Sequence, residues 1–317
     1  MKFEKDAREL RKVYCESLIE YAKNDDRICL VEADLMGANG TKGFAAAYPE
    51  RTFDVGIAEA NMIGVAAGLA ASGKLPFANS FTAFATRRCF DQVAISVCYT
   101  GLNVRIGGTD PGIAAQLNGG THMSLEDMAI MRTLPNMTIF EPVDETQLVQ
   151  AMPQIIAHNG PMYIRLLRSN ADNVFGSVKD YKFDLHKADV LKGGKDVAIF
   201  CSGLMVARSL NAAEILAQQG IDAAVINVHT LKPLDCDTVL TYAKKCGAVV
   251  TAENHSVVGA LGSAVAEVLA ENHPTPMRRI GAKDRFGEVG KLDYLEKAMF
   301  MTPDDVANAA KEAIALK

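Results

Sequence analysis

The stretch Phe53–Val93, FDVGIAEANMIGVAAGLAASGKLPFANSFTAFATRRCFDQV, decides how the rest of the chain is read. Apolar residues alternate at Phe53, Val55 and Ile57, the pattern of a short strand that hands the chain to Glu59. An Ala/Gly-rich helix is predicted over Asn61–Ser72, with side chains small enough for neighbouring backbones to approach closely. A Gly73–Pro76 turn leads into a second apolar stretch ending at Ser80, followed by Phe81 and Phe84. Glu59 is the only charged residue between Asp54 and Lys74, so burying it without a partner would cost free energy and raise its affinity for a proton. Taken singly, an acid at a helix start complements the helix dipole, and two phenylalanines at that spacing are core residues. Taken together, one acid beside two aromatic rings is what seats and protonates a flat heterocycle.

Upstream, residues Asp6–Asn24 carry Leu10, Val13, Leu18, Ile19 and Tyr21 near helical spacing, and Ile28–Val31 reads as a buried strand running into Glu32-Ala33-Asp34-Leu35. The Gly-rich loop MGANGTKGFAAAYPER then lies at the carboxyl end of that strand, where parallel α/β sheets bind ligands. Downstream, Asn103–Gly107 is a further strand, and the long Gly-rich loop GTDPGIAAQLNGGTHMS contains His122. Ser124 reads as the N-cap of the next helix, Met137–Phe140 as a strand, and Asp144 as the start of a helix ending before Asn159. Met162–Leu167 follows as a strand carrying Arg165 and leading to Arg168, a residue type suited to oxyanion recognition. The polar segment after Ser169 lacks periodicity. Beyond Ala188 strands and helices alternate again: strands over Asp196–Cys201, Ala223–Val228 and Ala248–Ala252, helices over Ala207–Gln219, Asp235–Cys246 and Ser263–Asn272. The fold class is therefore α/β with two parallel-sheet domains, residues 1–170 and 188–317, joined by a linker over 171–187. In the second, the GALG helix start offers backbone N–H groups to an anion.

Composition excludes several classes. A content of 49% hydrophobic and 22% charged residues is that of a globular protein, and no apolar run reaches the ~20 residues of a membrane span. The N-terminus is a charged amphipathic helix without the apolar core of a signal peptide. A net charge of −5 with no basic tract speaks against nucleic acid. Seven cysteines without CxxC spacing suit free thiols in a reducing cytoplasm and supply no metal site.

The run of motifs VEADLMGANG, DVGIAEANMIGVAAGLA, NSFTAFATRRCFDQV, GGTHMSLEDMAIMRTLPNM and ENHSVVGALGSAVAE resembles the C-terminal half of transketolase, as carried by the pyrimidine-binding subunit of split, two-subunit transketolases. The resemblance implies thiamine diphosphate as cofactor, with residues 1–170 as pyrimidine-binding domain and 188–317 as the transketolase C-terminal domain. It implies that Glu59 bonds N1′ of the aminopyrimidine and promotes its imino form, that Phe84 stacks on that ring, and that Phe81 walls the pocket. Asp34 would line the thiazolium and substrate channel, His122 would reach the substrate's oxygens as a catalytic group, and Arg168 would contact the sugar's terminal phosphate. A ketose would then give a two-carbon unit to an aldose.

The Gly-Asp-Gly…Asn signature that holds magnesium diphosphate is missing from the sequence. The resemblance thus implies a partner, an N-terminal diphosphate-binding subunit that carries the Mg2+ ligands, in a heterotetramer of two plus two. Where standard transketolases have a histidine twelve residues before His122 this chain has Asp110, and where they have an aspartate four residues before it this chain has Asn118. The loop that reads the sugar is rewritten, which favours a branched, deoxy or differently charged ketose; a neutral compensating exchange is the other reading. Two rivals stand beside this: the β subunit of a 2-oxoacid dehydrogenase or a 1-deoxyxylulose-5-phosphate synthase, and a non-catalytic binding subunit that keeps only the fold.

Overall fold

Strands covered on both faces are buried along their whole length rather than alternately. The computed structural model, which describes residues 3–317, has such strands at the centre of each of two sheets. In chain order the strands are β1 (Ile28–Glu32), β2 (Thr52–Asp54), β3 (Leu75–Phe81), β4 (Arg105–Thr109), β5 (Thr138–Phe140), β6 (Met162–Leu166), β7 (Asp189–Lys192), β8 (Val197–Cys201), β9 (Ala223–Asn227), β10 (Thr230–Lys232), β11 (Val249–Ser256) and β12 (Met277–Ala282). β1, β3, β4 and β6 are buried at every residue, as are β8 and β9.

The first sheet runs β10-β5-β6-β4-β3-β1-β2 and the second β12-β11-β8-β9-β7. Both are parallel except for one edge strand each: β10 is antiparallel to β5, and β7 to β9. The two-sheet α/β architecture expected from the sequence is present, with one exchange: β10 lies after β9 in the chain yet completes the first sheet. Among the described residues no helix is long and apolar enough to cross a membrane.

A buried ionic cluster fastens the sheets to each other. Arg165 on β6 donates from Nε and Nη2 to Asp127 (2.7 and 3.2 Å), from Nη1 to Glu141 (2.6 Å) and from Nη2 to the Asn254 carbonyl on β11 (2.8 Å). Ser202, just past β8, donates to the other oxygen of Glu141 at 2.7 Å. Burial opposes the charge of Asp127, but Arg165 and His255 hold its carboxyl below the usual carboxylate range. Residues 171–187 contain no strand and one short turn of helix, Phe175–Ser177; Phe175, Phe183 and Leu185 are buried there against both halves.

Several local expectations are corrected. The first strand of the opening stretch stops at Asp54, because Gly56 turns at φ +72° and Asp54 Oδ1 accepts its N–H at 3.0 Å; Phe53 and Ile57 are left exposed. The loop after β1 holds two short helices, Met36–Asn39 and Lys42–Ala47. Ser124 is not a cap: the helix begins at Asp127, and Ser124 Oγ is buried without a partner among the described residues. The helix Leu261–Asn272 has no open anion site at its start, since Glu253 accepts from Leu261 and Gly262 N–H, each at 2.8 Å. The helix Glu59–Ala71 buries Ala66 and Ala67 in the core, but not all its small residues serve close approach within this chain. Gly64 and Gly68 on its outer face have no atom within 4 Å of where a Cβ would stand.

Candidate active site

In the first sheet the chain runs outward in one direction from β1 to β2 and in the other from β3 to β4 and beyond, so the crevice of an open α/β sheet falls at the carboxyl ends of β1 and β3. Glu59, at the start of its helix, and Ser80 and Phe81, at the end of β3, meet there. Glu59 is 1% exposed. Ser80 Oγ donates to its Oε1 at 3.1 Å and Arg88 Nη1 to its Oε2 at 2.8 Å. The carboxylate that would be costly to bury without a partner has one in Arg88, whose side chain is 43% exposed.

The rings form one cluster. Phe81 and Phe84 have centroids 6.0 Å apart, and His122 stands edge-on to Phe84 at 5.1 Å and to Phe81 at 5.9 Å. Thr121 Oγ1 lies 2.9 Å from His122 Nδ1. Arg87 ties this loop down, donating to Glu126 at 2.8 Å and to the Thr121 carbonyl at 2.9 Å. The Arg88 guanidinium covers Phe84 at 4.0 Å from the ring centroid, so a flat cation that donates to Glu59 lies on the aromatic face. The surroundings match what an aminopyrimidine requires: a planar face, a buried acid at its edge, and an occupant able to leave.

Phe81 connects this end to a second one. Arg168 lies 6.0 Å from the Phe81 ring and donates from Nη1 to Asp110 Oδ2 at 2.9 Å. Asn118 Nδ2 approaches the same oxygen at 3.3 Å. These three line a cavity of about 300 Å³ with Glu9, Arg11 and Gln116. Asp110 and Gln116 both have positive φ, +58° and +49°, so the rewritten loop is held in a backbone form that ordinary residues rarely adopt. Burial pushes the Asp110 carboxyl up, against the pull of Arg168 and Arg11.

Asp34 stands apart. Its φ is +58°, its side chain is exposed, and its N–H donates to Asp54 Oδ1 at 2.9 Å; it does not line the cavity. The buried acid of β1 is its neighbour Glu32, which accepts from Asn39 Nδ2 (2.8 Å) and Thr41 Oγ1 (2.6 Å). Burial raises the Glu32 carboxyl to about 8, with those two bonds only partly opposing it. Asn39 passes the network on to Thr109, next to Asp110. Among the described residues no group of three or more His, Cys, Asp or Glu side chains is placed to hold a metal ion.

The structure thus brings Glu59, Phe81, Phe84 and His122 together, and Asp110, Asn118 and Arg168 together, with Phe81 between. Sequence reasoning missed Arg88, Arg11, Glu9 and Glu32. A signal existed for the first: Arg87-Arg88 is a basic pair one helical turn after Phe84 in an apolar stretch. Glu9 and Arg11 sit at the start of a surface helix, and nothing in their spacing announces a cavity.

Residues 6–173 match the transketolase pyrimidine-binding domain and 186–306 the transketolase C-terminal domain. The chain is 58% identical over 303 residues to the 6-deoxy-6-sulfo-D-fructose transketolase subunit SqwH of Clostridium sp. strain MSTE9, covering 96% of this chain and 94% of that one. It is 39% identical to a putative transketolase C-terminal section of Methanocaldococcus jannaschii, covering 96% and 95%. Among solved structures, a split gene transketolase described as an inactive beta4 tetramer superposes with a TM-score of 0.87 at 43% identity, covering 97% and 98%. The chain belongs to the transketolase family, as the pyrimidine-binding, C-terminal subunit of the split type.

Proposed function

We propose that this subunit completes a thiamine-diphosphate transketolase whose ketose donor ends in a sulfonate, the 6-deoxy-6-sulfo-D-fructose of its 58%-identical relative. The observation that carries the reading is the continuity of the site. A buried acid and an aromatic face at one end are joined through Phe81 to an arginine-lined cavity at the other, with the rewritten Asp110 and Asn118 beside it.

When bound, the cofactor supplies the nucleophilic carbon that takes up a two-carbon unit from a ketose. The protein's own residues do the rest. Glu59 holds and exchanges a proton at N1′ of the aminopyrimidine, and Ser80 fixes the direction of its carboxylate. Phe84 offers the stacking face once Arg88 swings away, while Phe81 keeps water from the reacting end. His122, braced by Thr121, hydrogen-bonds the sugar's oxygens. Asp34 borders the thiazolium side, and Arg168 holds the anionic tail.

The diphosphate and its Mg2+ would be held by a partner subunit, the two kinds of chain assembling two plus two in the cytoplasm. Two features support a partner. The face of the helix Glu59–Ala71 with Gly64 and Gly68 is uncovered, and Ile57, Ile95 and Tyr99 beside it are exposed, Tyr99 by 84%. Large apolar side chains grouped on one face mark an interaction site.

The test is reconstitution. The chain alone should bind thiamine diphosphate poorly and show no ketol transfer; with the partner, Mg2+ and cofactor it should act on 6-deoxy-6-sulfofructose. Full turnover by this chain alone would overturn the two-subunit reading. Preference of the complex for xylulose 5-phosphate would overturn the sulfosugar reading.

A further inference from the structure

The charges around the tail cavity balance. Arg11 donates from Nε and Nη2 to Glu9 Oε2 at 3.2 and 3.0 Å and from Nη1 to the Ala38 carbonyl, so each of its nitrogens already has an acceptor. Arg168 spends only Nη1, on Asp110; among the described residues its Nε and Nη2 have no acceptor. Two guanidinium groups therefore face the cavity with two resident carboxylates, and one edge of one arginine is left to bind a guest. Lys12 reaches Glu9 from the exposed side without lining the cavity, and His122, further along the same loop, is near enough to lower the Asp110 carboxyl.

We propose that Asp110 and Glu9 set the charge of the sugar tail, admitting a permanent monoanion and disfavouring a dianion. The proposal rests on the sulfosugar reading above and names the residues that separate a sulfonate from a phosphate. A sulfonate carries one negative charge at neutral pH, which the free edge of Arg168 matches. A phosphate monoester carries about −1.5 to −2, and its second charge meets Asp110 and Glu9 instead of a counter-ion. Discrimination by an unfavourable contact with the wrong guest is as effective as a better contact with the right one. Asp110 can act this way because it is buried and its loop is held at φ +58°, so it cannot swing aside cheaply.

The experiment uses the reconstituted complex with Asp110→Asn and Glu9→Gln. Asparagine tolerates a left-handed φ, so the first exchange keeps the loop, and Glu9 offers a second, independent site. Two quantities are measured: kcat/KM for 6-deoxy-6-sulfofructose against fructose 6-phosphate, and calorimetric affinity for the corresponding unreactive alditols, sulfonated and phosphorylated. Asp110→Asn should shift both ratios about tenfold toward phosphate, the order of one charge–charge contact in a half-open cavity. Glu9→Gln should shift them the same way by less, because Glu9 is more exposed. Unchanged ratios in both variants would overturn the proposal. If the wild-type complex uses neither donor, the sulfosugar reading falls, and the alditol affinities still decide for or against Asp110 and Glu9.

Discussion

Two arginine–carboxylate clusters in this protein have opposite characters. Arg165 is fully buried with its Nε, Nη1 and Nη2 all donating to protein acceptors, and its partners Asp127 and Glu141 are buried with it. Arg88 is half exposed, makes one hydrogen bond to Glu59, and lies loosely on Phe84. The first is a closed set of charges that no guest can enter. The second leaves a deeply buried acid whose cation can be exchanged for something else of similar shape. The separation distinguishes a buried charge locked into the framework from one whose partner reaches solvent, a distinction burial alone does not make.

The largest effect should come from breaking the closed cluster. Arg165→Ala leaves two buried carboxylates unpaired, a loss of about 3–5 kcal/mol; urea unfolding should show it, and a midpoint close to wild type would mean that the cluster is not what joins the sheets. Next, Glu59→Gln should lower turnover of the reconstituted complex by roughly 10²–10⁴, the contribution of a positioned acid or base, with the urea midpoint nearly unmoved. Turnover within a few-fold of wild type would make Glu59 a helix-start acid only.

Arg88→Ala sharpens the contrast from the other side. Its loss should cost about 1–3 kcal/mol of stability, less than that of Arg165 because Arg88 is half in water and Ser80 still donates to Glu59, and thiamine diphosphate should saturate the complex at a lower concentration because the Phe84 face is vacant. Weaker cofactor binding would show instead that Arg88 helps to hold it.

Glu32 supplies the third case, a buried acid with no arginine on it. Its carboxyl lies near 8 in the folded chain against 4.5 when free. Between those values the folded state binds more protons than the unfolded one, so this contribution to stability is complete below about 4.5 and is lost as pH rises through about 8. Glu32→Gln should flatten the decline in unfolding free energy between pH 5 and pH 8, by about 1 kcal/mol for each pH unit. Parallel curves for wild type and variant would show that Glu32 is ionised through that range.

How far the sequence carried the reading follows from the range of each interaction. Glu59, Phe81 and Phe84 are visible because the acid, the helix and the rings lie within one continuous stretch. The strands are visible because burial on both faces writes itself as local apolar runs. What stayed hidden depends on residues far apart in the chain. Glu253 fills the helix start at Leu261 only because β11 ends beneath it, so an anion site read from GALG alone was mistaken. Ser124 looked like a cap, but Asp127, its acid committed to Arg165 and Tyr163, begins the helix instead. The tail cavity needs the first helix, the loop at Asp110 and the end of β6 to converge, and none of the three carries a mark of the others.

The edge strand β10 has a consequence for how such a chain can be divided. The second half of the polypeptide supplies the strand that finishes the first half's sheet, and the Asn254 carbonyl from the same half closes the Arg165 cluster. A break anywhere within residues 171–187 would leave one fragment with an uncovered sheet edge and surplus buried charge, and the other with a strand that has nothing to join. Neither part would be a complete module by itself. The two sheets are separate in topology but not in folding: each is completed by residues from the other half of the chain.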